Sequence, residues 1–247
     1  MNRIIKLLIF LKFFKKALRK YLKYGAKDFV YSGKINAVAH VLGNGPSLRA
    51  SLHLIKKEDR IIMVNFSVLT DLFFELKPRY LCLADPSFFE KIDDGDLEEK
   101  KIELIERLKQ VDWELTVVTP AGANTAHFQV NSAWISFAFV NGVPLDFSMK
   151  YWRWSLYKRN FAMPSLQNVI ILAVYISLQR GYGTVYLHGV DSDSYKEICI
   201  NQLNEMVLKE LHYYGTSDRN MNDEKYYGFS AGTLYKRLDC RLRDVSS

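Results

Sequence analysis

Short apolar runs alternate with segments of helical period along most of the chain. The apolar runs predict strands that are buried on both faces of a sheet. These runs span residues 36–42, 60–65, 80–84, 114–118 and 183–187. Helical periods lie between them, at 68–75, 97–110 and 165–180. Strands that alternate with helices predict an α/β fold, here a single Rossmann-like open sheet that is mostly parallel.

Two stretches depart from this alternation. Residues 125–160 are rich in aromatic side chains and predict either a lid over a crevice or a small subdomain that buries its own rings. Beyond the last buried run, a polar helix is predicted at about 196–211. A polar, tyrosine-rich loop is predicted to begin at His212, and a final strand is predicted at 238–245.

The N-terminal residues 2–24 carry a helical period with no glycine or proline. Lysines and arginines occupy one face. The other face is apolar and consists of Phe10, Leu11, Phe14, Ala17, Leu18, Tyr21 and Leu22. The longest uncharged run, 7–11, is far too short to span a bilayer, and no small-residue cleavage site follows it. Residues 1–28 therefore predict an amphipathic helix on a membrane surface, with packing on the protein's own body or on a partner protein as the alternatives. Residues 29–247 are predicted to form the α/β domain.

The charge distribution argues against a nucleic-acid partner. The chain carries a net charge of +7, but residues 1–28 alone account for +8, so the remainder is close to neutral. The three cysteines are far apart in sequence and form no Cys-x-x-Cys pair. This spacing predicts a reducing compartment and argues against a disulfide framework or a structural zinc site.

The first strand ends in the segment Gly43-Asn44-Gly45-Pro46-Ser47, which has the features of a ligand-binding turn. The two glycines allow a ligand to approach the backbone closely. Pro46 and Ser47 suit the first turn of a helix, whose free amides would seat a phosphate. The alternative is a tight turn that binds nothing.

Polar residues follow four of the predicted strands, at Asn44, Asn65, Asp85 and Asp191. In an open α/β sheet such positions share one crevice, and asparagine side chains suit a base or a ribose. No P-loop motif occurs, and Asp191-Ser192-Asp193 is the only credible pair of metal ligands. We expect no metal. Tyrosine hydroxyls and Arg159 would then neutralise the charge of a leaving phosphate. A loop histidine such as His212 suits a catalytic base, although most are merely solvated.

Six motifs in order carry a family resemblance over roughly residues 36–245. They are Val-Leu-Gly-Asn-Gly-Pro-Ser-Leu (41–48), Val-Asn-Phe (64–66), Ala-Asp-Pro-Ser-Phe-Phe-Glu (84–90), Asn-Thr-Ala-His-Phe (124–128), Gly-Tyr-Gly-Thr-Val-Tyr-Leu-His-Gly-Val-Asp (181–191) and His-Tyr-Tyr-Gly (212–215). The chain resembles the bacterial sialyltransferases of glycosyltransferase family 42, and its first motif also resembles pterin pyrophosphokinase-like proteins. The resemblance implies a CMP-linked sugar donor, no metal or other cofactor, and inversion by single displacement. The basic helix at 1–28 predicts attachment to the cytoplasmic face of the bacterial inner membrane, with access to a cell-surface glycan or lipid-linked acceptor.

Carried over residue by residue, the resemblance implies that Asn44, Gly45 and Asn65 hold the nucleotide and that His212 is the general base. Arg159 and Tyr195 join His212 as catalytic candidates. The further nucleotide-binding candidates are Gly43, Ser47, Asp85, Gln167, Asn168, Gly189 and Asp191.

The chain departs from the family pattern at several of these positions. Asp85 stands where the family has asparagine, and Gln167-Asn168 replaces an expected Ser-Gly. Ser192-Asp193 replaces an aromatic pair, for which Tyr195 is a substitute, and a competing alignment puts 225–228 at the base position. An ATP- and Mg²⁺-dependent phosphoryl transferase and a non-catalytic membrane-binding module therefore stay open as alternatives.

Overall fold

The computed structural model describes residues 3–24, 28–90, 95–128, 130, 132–145, 150–191, 198–200, 206–212 and 215–220. Helices α1 to α6 span Arg3–Tyr24, Leu48–Ser51, Asp71–Leu76, Gly95–Lys109, Lys150–Lys158 and Val169–Gln179. Strands β1 to β9 span Ile35–Leu42, Arg60–Val64, Tyr80–Cys82, Leu115–Pro120, Ile135–Val140, Tyr182–His188, Ile198–Ile200, Met206–His212 and Gly215–Asn220.

Six strands form a parallel sheet in the order β5-β4-β3-β2-β1-β6. The predicted Rossmann-like α/β fold is thereby confirmed. From β1 the chain moves to β2 on one side, and it returns to the other side of β1 only at β6. The sheet therefore has its topological switch point between β1 and β6, and ligands of open α/β sheets bind outside the carboxyl ends of the strands at such a point.

The chain divides into two compact units. The first comprises residues 1–43 and 52–188 and holds the whole parallel sheet. The second comprises 44–51 and the residues from 189 onward, and it holds the antiparallel sheet β7-β8-β9.

The antiparallel sheet shows that the polar helix predicted at about 196–211 is wrong. Residues 206–212 form β8, which pairs with β7 on one side and β9 on the other. A short apolar run such as Met206-Val207-Leu208 suits either a strand or a helix, and strand pairing decides between them. His212 is the last residue of β8 and pairs with Gly215, so the loop predicted to begin there is also wrong. The strand predicted at 238–245 lies outside the described residues.

The aromatic-rich segment 125–160 contributes elements that its composition did not predict. Ile135–Val140 forms β5, an edge strand of the parallel sheet that pairs in register with β4. Lys150–Lys158 forms α5, and the ring of Tyr157 contacts that of Tyr175 on α6 at 6.5 Å. Part of the segment therefore belongs to the main fold, while a lid over a crevice stays a prediction.

One face of the parallel sheet packs against α6 and α1. Ala39 and Val41 of β1 join Leu172 and Ile176 of α6 in one fully buried cluster. Strand alternation turns the neighbouring side chain of His40 to the other face. The first helix is part of the same cluster through Ala17, which has no exposed surface.

Helix α1 packs on the protein's own body through part of its predicted apolar face. Phe14 and Tyr21 contact the ring of Phe161 at 5.2 and 5.5 Å, and Asn141 donates a hydrogen bond to the carbonyl of Ala17. Leucines elsewhere on the helix stay exposed, among them Leu8, Leu11, Leu18 and Leu22. Within the described residues, none of the helices has the length and apolar character to cross a bilayer.

The amino edge of the parallel sheet is closely packed. The guanidinium of Arg180 lies 4.6 Å from the ring centre of Phe29 and 5.7 Å from that of Tyr80. The chain then turns at Gly181, whose φ is +77° and whose carbonyl accepts a 2.7 Å hydrogen bond from the Ile35 amide. A Cβ at Gly181 would lie 1.8 Å from the carbonyl oxygen of Gly33, so only glycine fits there.

Candidate functional site

At the switch point, a backbone hydrogen bond joins the ends of β1 and β6. The Gly43 amide donates to the carbonyl of His188 at 2.8 Å, which extends the pairing of the two strands by one residue. Gly189 follows with φ +60°, a conformation that glycine adopts without strain. The motif that begins at Gly43 and the motif that ends at Asp191 therefore follow strands whose ends are paired.

In the second unit, two backbone amides of the segment 44–51 donate hydrogen bonds to residues that follow β6. The Gly45 amide donates to the carbonyl of Gly189 at 2.8 Å, and the Ser47 amide donates to Asp191 Oδ2 at 3.0 Å. A Cβ at Gly45 would lie 2.1 Å from Asp191 Oδ2, so this contact requires glycine at position 45. Four predicted binding residues, Gly45, Ser47, Gly189 and Asp191, are thus brought together.

These contacts occupy amides of the predicted phosphate seat. Its basis was a set of free amides in the first turn, but the amides of Gly43, Gly45 and Ser47 each have an acceptor in this structure. The physical reason is that the last residue of β6 and the residues after it supply two carbonyls and one carboxylate to the same turn. Nucleotide binding by these residues stays a prediction, and it would require Asp191 to share or yield the Ser47 amide.

Two asparagines at the ends of neighbouring strands bury an unused oxygen. Asn44 follows β1 and Asn65 follows β2. The Oδ1 atom of each is buried and has no hydrogen-bond partner among the described residues. A buried carbonyl oxygen without a donor costs about 1–3 kcal/mol, so each is an acceptor available to a ligand.

Asn65 also has a strained backbone. Its φ is +51°, in the left-handed region that residues other than glycine rarely adopt. It begins the 3₁₀ helix Asn65–Leu69, in which the buried Ser67 hydroxyl likewise has no partner among the described residues. Backbone strain beside unsatisfied polar atoms is typical of functional sites. Ser67 was not predicted, because a serine in an apolar context gives no sequence signal.

Asp85 follows β3 and has a structural partner. Its Oδ1 accepts a 2.8 Å hydrogen bond from the Ser87 amide and so caps the 3₁₀ helix Pro86–Phe88. The ring of Phe88 contacts that of Phe66 at 4.9 Å, which ties the ends of β2 and β3 together. The carboxylate is exposed and retains its second oxygen for a ligand.

Three of the other predicted residues lie on or near α5 and α6. The exposed Arg159 follows α5 and hydrogen-bonds to Ser155. Asn168 caps α6 by accepting a 3.2 Å hydrogen bond from the Ile171 amide, and Gln167 precedes it, exposed. Because α6 ends just before β6 begins, its N-terminal end points toward the carboxyl edge of the sheet.

The remaining predicted residues are less fully described. His212 ends β8, and Tyr195 and the segment 225–228 lie outside the described residues. Within the part of the chain that the structure describes, no group of three or more histidine, cysteine, aspartate or glutamate side chains is arranged to hold a metal.

A chain of three hydrogen-bonded polar side chains at the switch point was not predicted. His40 Nε2 lies 2.9 Å from Asp59 Oδ2, and His40 Nδ1 lies 2.8 Å from His188 Nε2. Both histidines are buried, at 1% and 5% exposure. The only sequence signals were a histidine within an apolar strand and another at a strand end.

Comparisons with known proteins find likeness only among solved structures. No family model and no curated protein matches the sequence. The MAf glycosyltransferase from Magnetospirillum magneticum AMB-1 aligns with a TM-score of 0.44 and 14% identity, over 83% of this chain and 31% of that protein. The sialyltransferase CstII from Campylobacter jejuni, solved in complex with the substrate analogue cytidine-5′-monophosphate, aligns with a TM-score of 0.36 and 17% identity. That alignment covers 64% of this chain and 63% of CstII, so this chain spans less than two thirds of either protein.

Proposed function

We propose that the protein is a metal-independent, inverting glycosyltransferase that takes a sugar, sialic acid or one like it, from a CMP-type donor. The observation that carries the proposal is the buried amide oxygen of Asn65 at the end of β2, which has no hydrogen-bond partner among the described residues. Such an oxygen accepts hydrogen bonds from the amino group of a cytosine base or from the hydroxyls of a ribose. The motif resemblance to family 42 sialyltransferases supports the same donor.

Three residues are proposed to carry the chemistry. His212 deprotonates the acceptor hydroxyl, while Arg159 and Tyr195 neutralise the phosphate that leaves with the nucleotide. In a single displacement, the acceptor oxygen attacks the anomeric carbon as the bond to the phosphate breaks, so the sugar inverts. The proton goes to His212 and the negative charge stays on CMP.

The N-terminal helix is proposed to bring the enzyme to a membrane that carries its glycan or lipid-linked acceptor. At 100° per residue, the body-packing residues of α1 lie within about 60° of Ala17. The exposed leucines lie about 100–180° from Ala17, and five basic residues occupy about 160–260°. These are Lys12, Lys15, Lys16, Arg19 and Lys23.

The two outward sectors of α1 together match a bilayer with anionic headgroups. Leu8 and Leu22 are 60% and 74% exposed, so they gain from burial among acyl chains. Each cation near an anionic surface contributes about 1 kcal/mol of attraction. The helix can dock in this way without leaving the body, because a different sector holds it there.

The donor is tested by thermal unfolding with CMP, UDP, GDP, ADP and ATP, each with EDTA or with Mg²⁺. At 100 times its Kd, a ligand adds about 2.7 kcal/mol to the free energy of unfolding. We expect CMP to raise the melting temperature in EDTA, and Asn65→Ala to remove the shift. Asn36→Ala is the matched control, because Asn36 is an exposed asparagine at the opposite end of β1.

Two other outcomes would redirect the proposal. Stabilisation by ATP that requires Mg²⁺ would favour phosphoryl transfer. No stabilisation by any of the five nucleotides would favour a non-catalytic module that keeps the nucleotide-binding fold.

The membrane partner is tested by co-sedimentation with vesicles of phosphatidylcholine alone or mixed with phosphatidylglycerol. We expect binding only to the anionic vesicles, weakened by salt, and at least about tenfold weaker for the double variant Leu18→Gln/Leu22→Gln. Leu54→Gln is the control, since Leu54 is also an exposed leucine, at 55%, but lies outside α1. Undiminished binding of the double variant would contradict the assignment of this surface.

A further inference from the structure

The chain of Asp59, His40 and His188 uses both ring nitrogens of His40. Asp59 Oδ2 also accepts a 3.0 Å hydrogen bond from the Lys56 amide, which fixes the carboxylate in the turn before β2. The two imidazole rings are stacked, with centres 5.0 Å apart and planes inclined by 21°. The histidines come from strands paired in register, so their separation is set by the sheet.

The hydrogen bonds dictate where the protons are. An ionised carboxylate only accepts, so His40 Nε2 must carry a hydrogen and donate to Asp59. A neutral His40 then has a bare Nδ1, which accepts from Nε2–H of His188. A neutral His188 therefore has its bare, basic nitrogen at Nδ1.

The same geometry allows a proton to move along the chain. When His188 Nδ1 binds a proton, the Nε2 proton of His188 transfers to His40 Nδ1 across 2.8 Å. His188 is then neutral again, and the imidazolium is His40, beside the carboxylate of Asp59. No heavy atom needs to move, and one positive charge has passed to the place where an opposite charge stabilises it.

The position of the chain links it to ligand binding. His188 is the last residue of β6, its carbonyl accepts from the Gly43 amide, and β1 and β6 flank the switch point. The relay therefore runs from the turn before β2 to the carboxyl edge of the sheet, where ligands of this architecture bind.

We propose that Asp59, His40 and His188 form a proton relay that couples binding of an anionic nucleotide phosphate to the uptake of one proton. The inference rests on the proposed nucleotide binding and adds a role for three residues outside the predicted site. The phosphate charge draws a proton from the solvent onto His188 Nδ1, and Asp59 and His40 hold the resulting cation. Asp59 and His40 are positioning residues in this scheme.

The surroundings of His188 keep it neutral without ligand. Burial, and to a smaller extent the nearby His40, lower the pKa of His188 below its usual value. Tyr186, whose ring stacks on His40 at 5.3 Å, is a further titratable group beside the relay. His188 can therefore take up a proton near neutral pH when an anionic ligand binds.

Calorimetry measures the proton directly. CMP is titrated into the protein at pH 7 in buffers of different ionisation enthalpy, and the slope of the observed enthalpy gives the protons taken up. We expect uptake of about half to one proton per CMP, and none for uncharged cytidine. Asp59→Asn keeps the acceptor for His40 and for the Lys56 amide but removes the charge, so uptake should fall by at least half. Asp112→Asn is the control, because it removes a charge at an exposed ion pair with Lys77.

Each result has a distinct meaning. CMP binding without proton uptake, or with equal uptake in Asp59→Asn, overturns the relay while leaving nucleotide binding intact. Failure of CMP and every other nucleotide to bind overturns the proposed function instead.

The relay is also tested without ligand or variant. Long-range ¹H–¹⁵N spectra at pH 7.5 should show both histidines as Nε2–H tautomers, and an Nδ1–H tautomer of His188 overturns the relay.

Discussion

At the amino edge of the parallel sheet, a guanidinium is covered by aromatic rings, whereas at the carboxyl edge buried oxygens have no donor among the described residues. Arg180 stacks on Phe29 and Tyr80 at the amino edge, even though its Nε has no hydrogen-bond partner among the described residues. At the carboxyl edge, Asn65 and Ser67 bury oxygens without a donor. The sheet therefore has stabilising packing at one edge and unused hydrogen-bonding groups at the other.

This difference indicates which edge is built for stability and which for binding. A protein of marginal stability retains unsatisfied buried groups and backbone strain only where something offsets them. Changes at the amino edge should therefore alter folding alone, and changes at the carboxyl edge should alter folding and binding in opposite directions.

The largest expected effect is at the amino edge. Gly181→Ala combines a left-handed backbone with a Cβ 1.8 Å from the Gly33 carbonyl, so it should lower the free energy of unfolding by about 3 kcal/mol or more. Urea denaturation followed by circular dichroism measures this loss. Gly33→Ala is the matched control, because its φ is +115° but no atom lies within 4 Å of the added Cβ. Equal losses in the two variants would show that the close approach at Gly181 does not matter.

Sequence patterns predicted this sheet well because its strands are short apolar runs separated by helical periods. They could not predict β5, since its sequence lies in an aromatic stretch and becomes a strand only by pairing with β4. They also could not predict β9, the polar stretch Gly-Thr-Ser-Asp-Arg-Asn, which is a strand only because it pairs with β8.

The sequence could mark candidate positions at strand ends but not their contacts. The glycines and asparagines at strand ends marked Asn44 and Asn65, because topology alone brings such residues to one edge. The hydrogen bond from the Ser47 amide to Asp191 joins residues 144 positions apart, and the His40–His188 contact joins residues 148 positions apart. Local patterns carry no information about such partners.

The next effect tests the carboxyl edge. Asn65→Gly should relieve the strain of φ +51° and raise the free energy of unfolding by about 0.5–1 kcal/mol. Loss of the amide oxygen should weaken CMP binding by about tenfold, which corresponds to about 1.4 kcal/mol. Denaturation and calorimetry measure the two changes on the same protein.

Lys77→Gly separates strain from binding. Lys77 has nearly the same backbone, with φ +45°, but it ends α3 and forms an exposed ion pair with Asp112. The Lys77→Gly variant should show a similar rise in the free energy of unfolding, with unchanged affinity for CMP. If Asn65→Gly also kept full affinity, the carboxyl edge would lose its assigned role.

The two edges should also respond to opposite ends of the pH scale. Burial raises the pKa of Tyr182, at the amino edge, to about 12, so stability is lost as pH rises from about 10 to about 12 while only the unfolded phenol ionises. The pKa of His188 is lowered by burial, so the unfolded state binds a proton first and stability is lost as pH falls below about 6.5. Tyr182→Phe should flatten the alkaline limb and His188→Gln the acid limb. A variant that flattened the other limb would contradict the assignment.

The smallest effect concerns a single hydroxyl. Ser67→Ala removes a buried Oγ that has no partner among the described residues, so stability should rise by up to about 1 kcal/mol. Thr70→Val removes a neighbouring hydroxyl that donates to the Ser67 carbonyl at 2.6 Å, so stability should fall by about 1 kcal/mol. Because both side chains belong to the same turn, opposite signs in urea denaturation would show that unpartnered oxygens set the carboxyl edge apart. If Ser67→Ala lost as much stability as Thr70→Val, the Ser67 hydroxyl would have a partner in solution. The difference between the two edges of the sheet would then depend on the asparagines alone.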